Sequence, residues 1–399
     1  MTISVGLTIK LIKDPVHGYI SLDEDEVGVL DTYPVQRLRR IIQLPFVYLV
    51  YPGARHTRFD HSLGCMYLAG EFAERLGFDE HRRKVLRLAG LLHDLGHTPY
   101  SHLLEPLLEE AGTTHEEMTI KILENDGELK EAVERCGVSI DEVIDVLRGK
   151  GAESAIISGP IDADKLDFLM RDSYFTGASY GLLDAKRIIW RSRVIGDRLA
   201  LSLKAIGAVE EMALARYQSF MNIYFHHAVR AAQTIFLRAV RMLEDLDFSS
   251  MSVQEYLSYD DYVLWCMMKR DERARWAVER IERRNLPKVA YEFKFGERSF
   301  PRELMRREGV EEAEEELARL AGVPENHLWI DTPYVPPLPY MDQEQVQFYD
   351  EVGGEVRVVA YRSPLLDFTS KIYGMVRVYT EREYLEKVRR VAENYFTSR

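Results

Sequence analysis

Apolar residues recur at helical spacing through most of the first 285 residues. The stretches VQRLRRIIQL, HSLGCMYLAGEFAERL and HRRKVLRLAGLLHDLG carry apolar side chains three and four positions apart, which predicts amphipathic helices. Asp31 or Thr32 could cap the first helix, and Asp60 could cap the second. The third helix is expected to end at Gly96, since glycine is common after a helix end and Pro99 follows.

Alternation, caps and helical spacing predict further elements along the chain. Residues 8–22 alternate around a Pro/Gly turn and predict a short hairpin. Asp162 is expected to cap ADKLDFLMRDSYF, and a long helical run is expected over 206–245. After about residue 286 the stretches VAYEFKF, HLWIDT, EVRVVAYRS and YGMVRVYTE are typical of strands, and EREYLEKVRRVAENYF predicts a terminal helix.

These patterns predict a mainly α fold with a short N-terminal hairpin and a smaller C-terminal α/β region. We expect a helical core domain over residues 1–285. Residues 286–399 are expected to form the α/β region, which would serve oligomerisation or regulation.

Composition limits the class of protein. The chain has 399 residues, of which 46% are hydrophobic, and its three cysteines lie far apart without a CxxC spacing. A disulfide framework or a thiolate zinc site is therefore not expected, which is typical of a reducing compartment. No signal peptide pattern and no apolar stretch of membrane-spanning length is visible, so we expect a cytoplasmic protein without membrane contact. The net charge of −13 disfavours nucleic-acid binding, but a small polyanionic substrate could bind where positive charge is local.

Candidate chemistry lies in LAGLLHDLGHTPYSH, residues 88–102. His93 and His97 are four apart, so on a helix they would share one face, with Asp94 one step round. Imidazole and carboxylate groups together suit a divalent transition metal such as Mn, Fe, Co, Ni or Zn. A single His-Asp pair is also found as a core histidine beside an exposed carboxylate, so the neighbouring stretches PGARHTRFDHSLG and IDADKLDFLMRDSYFTG matter.

The ordered motifs HTRFDHSLG, HDLGHTPYSH and DADKLDFLMRDS, together with KDPVHGYISL, resemble those of the HD-domain deoxynucleotide triphosphohydrolases over about residues 8–240. The resemblance implies an HD-domain helical core. It also implies one divalent transition metal, with Mg accompanying the substrate phosphates. The metal ligands that it implies are His61, His93, Asp94 and Asp164.

The resemblance also implies roles around the phosphates. Arg58 and Lys165 would hold phosphates, and His97, His102 and His115 would surround the triphosphate. Glu105 matches a carboxylate that partners a histidine, and its spacing from His102 allows a pair on one helical turn. Either His102 or His115 could donate the proton to the leaving group, although His115 could instead cap the helix that starts HEEMTI.

For the sugar, the resemblance places Gln43 and Asp172 at the 3′-hydroxyl. The chain departs from the family at Phe168, where the family has a tyrosine, and at Tyr224 and Ala232, which align with an arginine and a second tyrosine. Tyr224 is a candidate substrate contact, with ordinary helix packing as the alternative, and nearby His226, His227 and Arg230 could substitute for the missing groups.

A nucleotide effector is a further expectation from the resemblance. The matching residues are Lys10, Asp31, Gln36 and Arg39, although DTYPVQRLRR could equally be an amphipathic helix with exposed charges. The family also implies a homo-oligomer, a dimer or a tetramer.

The leading hypothesis is metal-dependent hydrolysis of a deoxynucleoside triphosphate to the deoxynucleoside and inorganic triphosphate, with nucleotide activation compatible with it. A second hypothesis is another HD-superfamily nucleotide reaction, by a monophosphatase or a phosphodiesterase. A third is a nucleotide or single-stranded nucleic-acid sensor with a vestigial site, and a fourth is a structural metal in a helical scaffold.

Overall fold

The computed structural model describes residues 9–196, 198–296, 302–335, 347–352, 355–361, 363–369 and 373–397. The predicted mainly α fold, with an N-terminal hairpin and small C-terminal sheets, is confirmed. Residue 8 of the expected hairpin and most of TPYVPPLPY lie outside the described residues. The α-helices are α1 Glu24–Leu30, α2 Tyr33–Arg37, α3 Arg58–Leu76, α4 Glu80–Leu92, α5 Glu105–Glu110, α6 His115–Asn125, α7 Gly127–Arg135, α8 Ile140–Leu147, α9 Ala155–Ser158, α10 Ala163–Thr176, α11 Ala185–Trp190, α12 Ile206–Ser219, α13 His227–Val240, α14 Val253–Ser258, α15 Asp261–Arg270, α16 Arg275–Glu282, α17 Arg307–Ala321, α18 Pro364–Thr369 and α19 Leu385–Thr397.

The strands form one hairpin and two four-stranded sheets. They are β1 Lys10–Asp14, β2 Gly18–Leu22, β3 Ser192–Ile195, β4 Arg198–Ser202, β5 Lys288–Gly296, β6 Leu328–Asp331, β7 Tyr334–Val335, β8 Gln347–Val352, β9 Glu355–Val359 and β10 Tyr373–Thr380. The hairpin pairs β1 with β2 antiparallel, with Lys10 opposite Leu22. One sheet has the order β3-β4-β8-β9, in which only β4 and β8 run parallel. In the other sheet β10 pairs with β5, β6 and β7.

The described residues fall into two compact units, each built from separate segments. The first unit lies within Met1–Arg216, Asp245–Cys266 and Tyr340–Leu366, and includes the hairpin, helices α1–α11 and the β3-β4-β8-β9 sheet. The second lies within Tyr217–Glu244, Met267–Pro339 and Asp367–Arg399. Its sheet buries Val376 and Val378 against Leu317 of α17 and Val388 of α19. The predicted boundary at residue 285 stays a prediction, as does the role of residues 286–399.

Helix starts differ in detail from their prediction. The expected helix VQRLRRIIQL is interrupted, because α2 ends at Arg37. Asp31 is the C-cap of α1, and Thr32 occupies the N-cap position of α2 without a side-chain hydrogen bond. Asp60 lies inside the first turn of α3, where its carboxylate accepts a hydrogen bond from the Thr57 backbone N–H at 2.7 Å.

Two further expectations about helices can be compared with the structure. Asp162 caps α10 as predicted and accepts from the Lys165 backbone N–H at 2.7 Å. The long run over 206–245 is two helices, α12 and α13, joined by a π-helical turn at Phe220–Tyr224.

The prediction that α4 continues to Gly96 is wrong, because the helix ends at Leu92 and His93 is its C-cap. Thr119 of α6 draws the chain away from the helix axis. Its hydroxyl donates to the His93 carbonyl at 3.0 Å and accepts from the Gly96 N–H at 2.9 Å. A Cβ on Gly96 would lie 2.0 Å from the His115 carbonyl oxygen, so only glycine permits this approach. His93 and His97 therefore do not share a helical face.

Helix α3 packs closely on α10 through Gly64. A Cβ at this position would lie 1.9 Å from Asp167 Oδ1 and 2.5 Å from Arg171 Nη2, which are both buried. The missing side chain therefore makes room for a charged pair between the two helices.

We predict that Gly64→Ala destabilises the protein by about 1–3 kcal/mol, because the added methyl group overpacks this contact. The free energy of unfolding in urea, followed by circular dichroism, measures the effect. Gly70→Ala on the same helix is the control. Its Cβ would lie 3.0 Å from the nearest atom, Arg87 Nη1, so the neighbour needs to shift by only a few tenths of an ångström. Equal stability of the two variants would contradict the prediction.

Candidate metal and phosphate site

Three helices bring the predicted metal ligands together in the first unit. His61 lies in the first turn of α3, His93 caps the C-terminus of α4 and is followed by Asp94, and Asp164 lies in the first turn of α10. His61 and Asp164 are 103 residues apart in sequence, so only the packing of the three helices places these side chains side by side.

The ligand atoms of His61, Cys65, His93 and Asp164 all lie within 4.8 Å of one another. His61 Nε2 is 3.0 Å from Asp164 Oδ1, and His93 Nε2 is 3.9 Å from the same oxygen. Asp94 lies at the edge of this group, with its carboxylate 3.2 Å from His93 Nε2 and 3.7 Å from His61 Nε2. The structure thus gathers all four predicted ligands, and their assignment to a metal remains a proposal.

Cys65 was not predicted to be part of this group. Its thiol lies one helical turn after His61, with Sγ 3.6 Å from each ring nitrogen of that residue. Burial raises the pKa of the Cys65 thiol strongly, so the sulfur is protonated at neutral pH. A spacing of four residues on one helix is the signal that could have identified it.

The donor set fits a divalent transition metal. His93 Nδ1 donates to the Gly90 carbonyl at 2.9 Å, so Nε2 is the ring nitrogen that faces the other candidate ligands. That nitrogen is buried and has no hydrogen-bond partner among the residues that the structure describes. An unsatisfied buried nitrogen is costly, and a metal bond would satisfy it.

A buried ionic network orients His61. His61 Nδ1 donates to Asp167 Oδ2 at 2.8 Å, so its Nε2 faces Asp164. Asp167 also accepts two hydrogen bonds from Arg171 and one from His17 Nε2 at 2.6 Å. Burial alone would raise the pKa of the Asp167 carboxyl, but Arg171, His17 and His61 together hold this pKa well below its usual range.

The same network reaches the hairpin. Arg171 Nη1 donates to Asp14 Oδ2 at 2.8 Å, and the other Asp14 oxygen accepts from the backbone N–H groups of Val16 and His17. Sequence reasoning missed Asp14, His17, Asp167 and Arg171. All four lie inside the quoted motifs KDPVHGYISL and DADKLDFLMRDS, but their side chains meet only after the hairpin packs on α10.

Arg58 links the metal ligands to the loop that follows them. Its Nη1 donates to Asp94 Oδ2 at 2.8 Å and its Nε donates to Ser101 Oγ at 2.8 Å. Burial opposes ionisation of Asp94, but His93, Arg58 and His97 keep the pKa of its carboxyl well below the usual value. Asp94 is therefore a carboxylate, as a metal ligand must be.

The remaining predicted histidines form a second cluster with Glu105. His102 lies in a 3-10 turn, Ser101–Leu104, and its Nδ1 is 3.9 Å from Glu105 Oε2, an ion pair at the predicted spacing of three residues. Glu105 is closer to His115: it accepts from the His115 backbone N–H at 3.1 Å and from His115 Nδ1 at 2.9 Å. The helix at His115 is capped by Thr114, so His115 does not serve as the cap.

The charges of these histidines differ. Burial opposes protonation of His115, but the hydrogen bond and the charge of Glu105 raise its pKa. The ring of His97 stacks on that of His115 with 4.2 Å between the centroids, and burial together with the cations Arg58 and His115 puts the pKa of His97 well below its usual value. Although 64% of the His102 side chain is exposed, surrounding protein atoms and the same two cations lower its pKa.

The predicted sugar-binding residues lie near one another. Asp172 Oδ1 pairs with His56 Nε2 at 2.7 Å, and the Gln43 N–H donates to the His56 carbonyl at 3.0 Å. Gln43 Oε1 is buried and has no hydrogen-bond partner among the described residues. Phe168 lies on the face of α10 that also carries Asp164 and Asp172, at spacings of four residues. His56, which was not assigned a role, is thus the side-chain partner of Asp172.

Two more cations lie in this unit. Lys165 Nζ donates to Asp162 Oδ2 at 2.6 Å and to the Gly159 carbonyl at 3.0 Å. Arg216 is buried and its charge acts on Lys165, although sequence reasoning did not select it.

In the second unit, Tyr224 packs on Phe220 with 5.0 Å between ring centroids, and Arg230 is ion-paired with Asp331. The substrate role of Tyr224 stays a prediction.

The predicted effector residues lie at the hairpin and around α2. Lys10 and Asp31 are exposed. Gln36 donates to the Leu30 carbonyl at 2.8 Å and accepts from Arg39 Nε at 2.9 Å, while the Arg39 guanidinium lies 3.4 Å from the centre of the Phe59 ring. Their role in nucleotide binding stays a prediction.

Among the described residues, we find no helix with the length and apolar character needed to cross a membrane.

Comparison with known proteins supports a family assignment. An HD domain matches residues 58–157, and an HD associated region matches residues 183–398. The uncharacterized protein MJ1154 of Methanocaldococcus jannaschii is 37% identical over 284 residues, which cover 70% of this chain and 59% of that protein. The deoxynucleoside triphosphate triphosphohydrolase SAMHD1 homolog of Dictyostelium discoideum is 31% identical over 312 residues, which cover 71% of this chain and 60% of that protein. The match spans about three fifths of each of these curated relatives.

A solved structure resembles the whole chain. It is a hypothetical protein from Aquifex aeolicus, with a TM-score of 0.78 and 27% sequence identity, and the match covers 96% of this chain and 100% of that one. The chain belongs to the HD-domain proteins that carry an HD-associated region. The matched HD domain implies a divalent metal.

We predict that Asp167→Asn weakens metal binding about 10–100-fold, because the carboxylate that orients His61 and raises its basicity is lost. Competition with a chelating indicator, using Mn or Co, measures the dissociation constant. Asp172→Asn is the control on the same helix, since Asp172 pairs with His56, whereas the carboxylates described around His61 are Asp94, Asp164 and Asp167. Unchanged metal affinity in Asp167→Asn would contradict the role of this carboxylate in orienting His61.

Proposed function

We propose that the protein hydrolyses deoxynucleoside triphosphates to the deoxynucleoside and inorganic triphosphate. The observation that carries this proposal is the position of the unpartnered His93 Nε2, beside His61 and Asp164, next to a cluster of three further histidines. Imidazole donors beside a metal site suit the oxygens of a phosphate chain. The relatedness to the Dictyostelium triphosphohydrolase supports the same substrate class.

The proposed metal ligands are His61, His93, Asp94 and Asp164. A divalent transition metal bound by them supplies Lewis acidity and lowers the pKa of a bound water. Asp94 and Asp164 stay ionised because positive and hydrogen-bonded groups lower the pKa of both carboxyls, that of Asp164 to about 2 through His61, Lys165 and His93 against the opposing effect of burial.

Local positive charge allows an acidic chain to bind a polyanion. Arg58 is buried beside Asp94, and its planar guanidinium suits a phosphate next to the metal. Lys165 and Arg216 would contact the phosphates that lie farther from the metal. Binding of the triphosphate would draw Lys165 away from Asp162. The neutral His97 is buried near Arg58 and His115 and offers ring nitrogens as hydrogen-bond groups.

His115 is the better candidate for the proton donor. Its pKa is raised by Glu105, whereas that of His102 is lowered. A general acid must carry its proton at the working pH, and the proton on His115 would pass to the 5′-oxygen of the leaving deoxynucleoside. His102, the more exposed side chain, would instead contact the phosphate chain.

The sugar would lie against Gln43, Asp172 and Phe168. Gln43 Oε1, which has no hydrogen-bond partner among the described residues, and the Asp172 carboxylate are both hydrogen-bond acceptors. Either acceptor suits the hydrogen of a 3′-hydroxyl group. The Phe168 ring supplies an apolar surface. A nucleotide effector held by Lys10, Asp31, Gln36 and Arg39, within a dimer or tetramer, completes the proposal, and paired nucleotides in the assay below test it.

The identity of the products tests the function. We predict that the purified protein with Mn releases deoxynucleoside and intact tripolyphosphate, which anion-exchange chromatography separates. His61→Ala should reduce the rate by at least about 1,000-fold, because a proposed metal ligand is lost. His81→Ala is the matched control, since His81 is an exposed histidine paired with Glu142. Release of orthophosphate or pyrophosphate would instead identify another HD-superfamily nucleotide hydrolase, and nucleotide binding without any product would identify a sensor.

The pH profile tests the proton donor. In the native protein Glu105 raises the pKa of His115, so activity should be lost as the pH rises through that pKa. We predict that Glu105→Gln moves the alkaline limb of kcat/KM to lower pH. Glu116→Gln should move it less, because Glu116 is 3.4 Å from His115 Nδ1 and its side chain is 69% exposed. An alkaline limb that does not move in Glu105→Gln would assign the proton transfer to another group.

A further inference from the structure

Three residues of the segment Tyr256–Asp261 are linked to the loop that carries His97 and His102, one of them through Arg37. This segment lies outside the matched HD domain and inside the matched HD-associated region. The Tyr256 hydroxyl donates to the Gly96 carbonyl at 2.5 Å. The buried Arg37 bridges the segment and the loop. Its Nε donates to the Tyr259 carbonyl at 2.8 Å, and its Nη1 donates to the Leu95 carbonyl at 3.3 Å.

Asp261 makes the third contact, and it joins two parts of the site. Its Oδ1 accepts from the backbone N–H of Tyr100 at 2.6 Å, and its Oδ2 accepts from the backbone N–H of Ile42 at 2.8 Å. Tyr100 lies two residues before His102, and Ile42 directly precedes Gln43. One carboxylate therefore sets the spacing between the loop of the proposed phosphate contacts and the residue proposed to bind the sugar.

The loop held in this way has an unusual backbone. Tyr100 and Ser101 have φ angles of 58° and 53°, in the left-handed region that residues with a side chain seldom adopt. Such a conformation persists where surrounding contacts determine it. Besides Asp261, the contacts of these two residues include the stacking of Tyr100 on Phe46 and a hydrogen bond from Thr98 Oγ1 to the Ser101 carbonyl at 2.9 Å. The Ser101 hydroxyl also donates to the Ile42 carbonyl at 2.6 Å and accepts from Arg58 Nε.

We propose that Asp261 is a positioning residue, which holds the strained Tyr100–Ser101 backbone so that Arg58 and His102 face the phosphate chain. The inference rests on the proposed function for its catalytic consequence, although the structural role of the carboxylate does not depend on the substrate. Asp261 itself touches neither the proposed metal ligands nor the histidine cluster in the described contacts.

The variant Asp261→Asn is the most specific test. An amide has one acceptor oxygen, so its NH₂ group must face one of the two backbone N–H donors, and one of the two contacts is lost. Asp260→Asn is the matched control. The carboxylate of this adjacent residue pairs with Arg40 and accepts from the Val263 N–H, and it does not contact Tyr100 or Ile42. Tyr256→Phe removes only the hydroxyl that bonds Gly96 and gives a second, milder variant.

Hydrogen–deuterium exchange gives a readout that needs no substrate. We predict at least about tenfold faster exchange of peptides that contain Ile42 and Tyr100 in Asp261→Asn, and a smaller increase around Gly96 in Tyr256→Phe. Asp260→Asn should leave both peptides unchanged. Equal exchange in Asp261→Asn and Asp260→Asn would overturn the proposal.

Kinetics separates positioning from general destabilisation. We predict that kcat falls about 100-fold in Asp261→Asn, with KM and the bound metal content close to those of the native protein. A parallel loss of metal would show that Asp261 supports the whole unit and would overturn the specific role. If the native protein releases no tripolyphosphate, the proposed function fails, and the exchange measurement alone still decides the role of Asp261.

Discussion

The carboxylate of Asp167 is the contact on which the site depends. It is fully buried and meets three positively charged or hydrogen-bond-donating side chains, Arg171, His17 and His61. A buried carboxylate without these partners would be too costly to retain, and His61 without the carboxylate could present either ring nitrogen to Asp164. The same interaction thus stabilises the junction of α3, α10 and the hairpin, and also selects the tautomer of a proposed metal ligand.

Close approach of backbones makes this concentration of polar groups possible. Gly64 leaves room for Asp167 and Arg171 between α3 and α10, and Gly96 lets the chain after His93 touch α6. Gly90 brings α4 against the backbone of α3, since a Cβ there would lie 2.8 Å from the Cys65 carbonyl oxygen. Helices that approach so closely can place short side chains from three elements around one point.

Charge is distributed unevenly between the whole chain and its site. The protein carries a net charge of −13, yet Arg58, Lys165 and Arg216 lie within the first unit as buried or half-buried cations. Each of the first two is paired with an aspartate, Asp94 or Asp162. The proposed triphosphate substrate would compete for these cations because its charge is higher than that of a single carboxylate.

The sequence by itself determined the class of fold and the identity of the proposed ligands. Helical periodicity and caps such as Asp162 are local properties, and the ordered motifs around His61, His93 and Asp164 needed no coordinates. The hairpin and strands β5, β6, β9 and β10 were also predictable from alternation and turn residues. Strands β3, β4, β7 and β8 were missed, and three of them, β4, β7 and β8, pair with strands distant in sequence.

Only the tertiary structure decided which polar groups meet. Glu105 hydrogen-bonds His115, ten residues away, and lies farther from His102, and α4 ends early because Thr119 satisfies its backbone groups. His17 and Asp167 are 150 residues apart and Asp261 follows Tyr100 by 161 residues, so no local spacing relates them. Hydrogen bonds depend on distance and angle in space, which periodicity along a chain does not encode.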